Sequence, residues 1–140
     1  MLAVKTYALG SMRVVDEDGI PCIVLSGILT AATIRESKAH VFDKAADDPV
    51  LISDWSRAVI ADTPAALVSA LDDWKHVMRQ PVALVIAPEQ EPAVSEYARL
   101  MAARRLSRPV FLSRKDAAAW CRRELAVRLA EARYQAQTCR

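Results

Sequence analysis

The chain has 140 residues, 53% hydrophobic and 26% charged, with a formal net charge of +2. These proportions fit one ordinary globular domain and exclude a disordered or fibrous chain. The longest apolar runs are of strand length, such as VALVIA at 82–87, so no membrane insertion is expected. The N-terminal MLAVKTYALG lacks a basic region, a long apolar stretch and a small-residue cleavage site, which makes a cytoplasmic location the expectation.

In chain order, MRVV (12–15) and CIVLSG (22–27) flank DEDG, whose Asp18-Gly19 pair predicts an antiparallel hairpin. Pro21 lacks a backbone donor and suits the start of the second strand. Residues 30–46 place Ile34, Val41 and Ala45 on one helical face, and DDP at 47–49 ends that helix. VLISDW (50–55) reads as a buried strand because both its faces are largely apolar. From Pro64 to Arg79, Leu67, Leu71, Trp74 and Met78 recur at helical intervals. VALVIA is a second buried strand, stopped by Pro88, and over 91–104 Val94, Tyr97 and Met101 share a helical face. PVFLS (109–113) is the last strand. Ser113 with Asp116 then makes a capping-box pattern that opens an extended final helix, about 114–135. The alternation predicts a single α/β domain over 1–140: a mostly parallel sheet of about five strands, an N-terminal antiparallel hairpin and about four helices.

The small net charge hides an asymmetry. Residues 1–98 carry 8 basic and 14 acidic side chains, and residues 99–140 carry 11 basic and 3 acidic ones. The C-terminal arginines sit among alanines with no interleaved aromatic platform, so they read as a solvated helix face and not as a nucleic-acid surface. Cys22, Cys121 and Cys139 are odd in number and far apart, and neither His40 nor His76 lies near a cysteine. Neither a metal site nor a disulfide framework is expected from that pattern, and no cofactor. The three glycines do not form a phosphate loop, and there is no GxSxG elbow. Asp47-Asp48 and Asp72-Asp73 read as solvated charge, since adjacent residues on a helix point apart.

Thr63 precedes Pro64 and a helical pattern. That order makes Thr63 an N-cap and Pro64 the first helical residue, where no N–H is needed. In an open parallel sheet, ligands and partners meet the loops after the carboxyl ends of the strands. Those loops are expected at Ser56–Thr63, Pro88–Glu91 and Ser113–Lys115. The candidate partner- or ligand-binding edge is therefore Ser56, Arg57, Asp62, Thr63, Glu89, Gln90, Arg114 and Lys115. The final helix has two apolar stripes. Ala118, Cys121, Leu125, Leu129 and Ala132 suit the core, while Trp120, Val127 and Tyr134 lie on the opposite side as a candidate homodimer face.

The order of segments resembles the STAS domain, in particular its SpoIIAA-like, STAS/SEC14-like bacterial relatives. The resemblance covers about residues 12–125, through VLSGILTAATI, PVLISDWSRAVIADTPAAL, VALVIAPEQEPAVSEYARLM and RPVFLSRKDAAAW. In the anti-sigma-factor antagonist branch, a partner kinase phosphorylates the second hydroxyl of an Asp-Ser-Ser-Gly motif. Here Asp62 matches the aspartate and Thr63 the first hydroxyl, but Pro64 stands at the acceptor position and Ala65 at the glycine. The resemblance implies a non-enzymatic regulatory or protein-interaction module with a protein partner and without the usual phospho-acceptor. The alternative is a small-molecule or lipid-binding, SEC14-like domain, which needs an apolar cavity. An enzyme of unrecognised type is a third reading.

Overall fold

A computed structural model describes residues 3–7, 10–37, 45, 47–72 and 79–138. His40, Val41, Trp74, His76, Met78 and Cys139, which entered the sequence reading, lie outside the described residues. The elements are β1 (Ala3–Tyr7), β2 (Gly10–Glu17), β3 (Ile20–Leu29), α1 (Ala31–Ser37), β4 (Leu51–Ile60) and α2 (Pro64–Asp72). There follow β5 (Val82–Val85), a 3-10 turn (Pro88–Gln90), α3 (Glu91–Ala103), β6 (Val110–Phe111) and α4 (Arg114–Thr138).

The strands lie side by side in sequence order, β1-β2-β3-β4-β5-β6. The first three form an antiparallel meander, and β3 through β6 run parallel. The α/β class, the hairpin and the parallel sheet are those expected from the sequence, with β1 as one further edge strand. Asp18 (φ 51) and Gly19 (φ 86) make the hairpin turn, with both central residues at positive φ as a type I′ turn demands. The Gly19 N–H donates to Asp16 Oδ2 at 3.1 Å, which helps hold the turn. Gly10 has a different reason to be glycine: a Cβ there would collide with the Ser26 carbonyl oxygen on β3.

Parallel strands that step one way across a sheet put all their right-handed crossover helices on the same face. Here α1, α2 and α3 cover one face, and the larger core includes Ile23, Leu51, Leu84, Leu67, Val94 and Met101. Among the described residues, α4 alone covers the other face, where Ala117, Ala118 and Cys121 pack on Cys22, Val24, Ile52, Ala83 and Val85. It starts beyond β6 and runs back across the sheet. Cys121 Sγ reaches the Leu51 carbonyl at 3.7 Å, and Arg122 Nη1 lies 3.8 Å from Asp18 Oδ2 at the hairpin turn. Past Leu125, every described residue of α4 is exposed. Those 13 residues, 126–138, overhang the sheet by about 20 Å at 1.5 Å per residue.

One irregularity shapes the carboxyl edge. Val24 pairs with Asp54 but Ser26 pairs with Arg57, so β4 carries one extra residue, a β-bulge. The bulge resets the alternation, and Trp55 and Ala58 both fall in the three-helix core. β4 also continues well past β5, whose last paired residue, Val85, stands opposite Asp54. The polar Ser56-Arg57 pair marks the end of the apolar run, which is why the strand was expected to stop at Trp55. It runs on to Ile60 because the equally long β3 supplies partners as far as Leu29. Ser56 and Arg57 therefore lie on a strand, and the loop itself is only residues 61–63.

Candidate functional site

The carboxyl edge is built from the tips of β3 and β4, the loop before α2, the turn after β5 and the start of α4. Thr63 caps α2: the Ala66 N–H donates to Thr63 Oγ1 at 3.1 Å, and Pro64 is the first helical residue. Ser113 caps α4 in the same way, accepting from the Asp116 N–H at 3.1 Å. α1 is capped twice. Thr30 Oγ1 accepts from the Thr33 N–H at 3.2 Å, and Asp62 Oδ2 accepts from the Ala31 N–H at 2.6 Å. Asp62 thus ties the start of α1 to the loop that opens α2, and its negative charge sits where a helix N-terminus favours one.

Gln90 solves a separate problem. Where β4 outruns β5, its carbonyls face no strand, and buried carbonyls need partners. Gln90 Nε2 donates to the Trp55 and Ala58 carbonyls at 2.9 and 2.7 Å, and its Oε1 accepts from the Ala87 N–H at 2.9 Å. One side chain stands in for a strand across the bulge.

Sequence reasoning passed over Asp54, which is 2% exposed in the middle of β4. Its Oδ2 accepts from Arg114 Nε at 2.6 Å, and its Oδ1 accepts from the backbone N–H and hydroxyl of Ser56 at 2.9 and 2.6 Å. Partial burial works against the Arg114 charge, but the Asp54 carboxylate outweighs it and raises the guanidinium pKa. The signal was available in VLISDW, because a carboxylate inside a strand buried on both faces must be paired. Its partner, 60 residues away, was not.

The structure therefore gathers Ser56 and Arg114 around Asp54, and sets Gln90 across the backbone on either side of Ser56 and Arg57. Asp62 and Thr63 hold the starts of α1 and α2. Arg57, Glu89 and Lys115 are exposed on the same edge. In α4, Trp120 is half-buried and stacks at a tilt on Phe111, with ring centroids 6.1 Å apart, whereas Val127 and Tyr134 stand exposed on the overhang. Of the stripe expected in the core, Ala118 and Cys121 are buried, Leu125 is half-buried, and Leu129 and Ala132 lie exposed beyond the sheet.

Chemically, the edge is occupied with itself. Burial pushes the Cys22 thiol up to about 12 and the Cys121 thiol up to about 11, so both stay protonated under the sheet and the helix. Among the described residues, no group of three or more His, Cys, Asp or Glu is placed to hold a metal ion. No helix among them is long and apolar enough to cross a membrane.

No protein-family model matches the sequence, and no curated protein matches it. Solved structures do match in fold. One is the crystal structure of an anti-sigma factor antagonist from Mycobacterium paratuberculosis, 17% identical in sequence. The match covers 87% of this chain and 95% of that one with a TM-score of 0.50. Identity that low speaks for architecture, and the architecture is the STAS-like fold of that antagonist.

Proposed function

We propose that the chain is a non-enzymatic regulatory module that works by binding another protein at the carboxyl edge of its sheet. One observation carries this reading. The polar side chains gathered at the edge, Asp54, Ser56, Asp62, Thr63, Gln90 and Arg114, hold backbone or each other in fixed positions. A rigid edge of this kind favours surface recognition, since ordering it on binding costs little entropy. Bond-breaking would need a nucleophile and a base free to act on a substrate.

The solved relative is named an antagonist of an anti-sigma factor, so an anti-sigma factor is the partner we infer here. Asp62 and Thr63 lie at the centre of the contact, where the resemblance places the regulatory motif. Pro64 stands at the acceptor position of that motif and has no hydroxyl, so the binding is not switched there by phosphate. Isothermal titration of the purified chain with anti-sigma factors from the same genome tests the reading. Binding at micromolar or tighter affinity is expected. Failure of every anti-sigma factor to bind overturns it.

The same reading includes self-association through the overhang of α4, where Val127 and Tyr134 are 52% and 68% exposed and seven residues apart. Sedimentation of the wild type beside a Val127→Ala, Tyr134→Ala variant checks it. A wild type that stays monomeric at about 50 micromolar, a range typical of weak homodimers, removes that part.

A further inference from the structure

The face under α4 is left open at one corner. α4 covers Ile20, Cys22, Val24, Ile52 and Val85, and its first residue, Arg114, reaches only to Asp54. Beyond Asp54, β3 and β4 continue as a ribbon through Ile28↔Val59 to Leu29↔Ile60. The two sides of this ribbon differ. Leu29 and Ala58 point into the three-helix core. By alternation Ser26, Ile28, Arg57 and Val59 point to the α4 side, and the 2.7 Å contact between Ser11 Oγ and Ser26 Oγ places Ser11 there too. Nothing described lies over this corner: Ile28 is 41% exposed and Val59 64%. The two are direct cross-strand neighbours, so they form one apolar step and not two scattered side chains.

The exposed charge bordering the step on the sheet face is cationic, while Asp62 holds the Ala31 N–H at the tip beyond it and Asp116 follows Lys115 on α4. Arg57 stands one row back on β4, Arg13 pairs with Val24 on the neighbouring row, and Lys115 is exposed at the head of α4. The nearest carboxylate on this face, Asp54, is buried and already bonded to Arg114 and Ser56. An apolar step with a cationic border suits an apolar side chain flanked by carboxylates, since such a partner buries the step without bringing like charges together.

We propose that this corner is a second docking surface, distinct from the Asp62–Thr63 loop, which takes an apolar segment of the partner protein flanked by Asp or Glu. The proposal rests on the functional reading above and adds where, and by what chemistry, the partner reaches round the edge. Ile28 and Val59 supply the apolar contact, and Arg57 supplies the selection for acidic flanks.

Titration of the anti-sigma factor with wild type, Val59→Glu, Arg57→Glu and Arg99→Glu tests it, the last being an exposed cation on α3 that serves as control. Both Val59→Glu and Arg57→Glu are expected to weaken binding at least tenfold, with Arg99→Glu unchanged. Wild-type affinity should fall as salt rises, and less steeply in Arg57→Glu. Thermal melts of all four proteins separate lost binding from lost folding. Binding that is insensitive to Val59→Glu and Arg57→Glu overturns this surface and leaves the functional reading standing. No binding by the wild type overturns both. Self-association of the wild type that disappears in Val59→Glu assigns the corner to a second copy and overturns the acidic partner.

Discussion

The face of the sheet under α1, α2 and α3 is closed from the hairpin to the tips of β3 and β4, whereas the face under α4 is closed along one diagonal only. Three crossovers stepping in one direction have to deposit three helices on the same side, so that side receives the larger core. The other side is left to a single helix after the last strand. A lone helix cannot cover six strands, and α4 in addition overhangs at one end while falling short at the other. Five of the six large apolar side chains exposed among the described residues show the consequence: Ile28 and Val59 lie on the uncovered corner, and Val127, Leu129 and Tyr134 on the overhang. The sixth, Leu112, lies just past the end of β6. The crossover side holds the larger core, and the side with one helix leaves apolar surface exposed.

The largest effect should therefore come from the crossover side. Leu84 is 1% exposed on β5, between β4 and β6, and points into the three-helix core. Leu84→Ala should cost about 4 kcal/mol, the transfer of the lost methyls plus the cavity left behind. Urea denaturation measures it. A loss under about 1 kcal/mol would mean that this core relaxes freely, and the contrast between the faces would go with it.

On the single-helix side the strongest tie is polar. Arg114→Ala leaves the Asp54 carboxylate buried with only Ser56 as partner, and should cost about 3 kcal/mol. The start of α4 should loosen before the rest of the molecule. Cys121 sits two turns further along with its thiol held protonated by burial, and it reports that loosening. In the variant, a thiol reagent should modify Cys121 at urea concentrations below the unfolding midpoint; in the wild type, modification should coincide with global unfolding. Coincident curves in both proteins would show that α4 does not open on its own.

What the sequence made legible divides along similar physical lines. Features fixed by neighbours in the chain could be read directly: the Asp18-Gly19 turn, the caps at Thr63 and Ser113, and the buried strands around Leu51 and Leu84. Each depends on a dihedral preference or a periodicity within a few residues. Features fixed by distant partners could not be read. The length of β4 depends on β3, the role of Gln90 depends on β5 ending early, and Asp54 depends on Arg114. The edge strand β1 carries only the short run AVKTY, too brief for periodicity to announce it. Asp62 stood in the expected edge, but as a residue of the loop. That its carboxylate caps α1, 31 residues back, required the fold.

Between the faces, at the edge itself, a smaller effect is expected. Thr63→Ala removes one hydrogen bond from an exposed cap and should cost about 1 kcal/mol. Thr63→Ser keeps the oxygen and should recover most of it. If Thr63→Ala leaves stability unchanged and abolishes partner binding, the hydroxyl is there for recognition and not for the helix.

The smallest effect sharpens the comparison most. Val59→Thr keeps the β-branched shape that a strand favours and exchanges one methyl for a hydroxyl. On a fully packed face such a change would bury an unpaired hydroxyl and cost on the order of 2 kcal/mol. At a position 64% exposed, on the open corner, stability should move by less than about 0.5 kcal/mol. The same substitution at Val82, 1% exposed on β5 in the three-helix core, supplies the internal reference and should show the full cost. Equal losses at Val59 and Val82 in parallel urea titrations would mean that some part of this chain covers the corner in solution. The single-helix face would then be as closed as the other, and the surface assigned to a partner would belong to the fold.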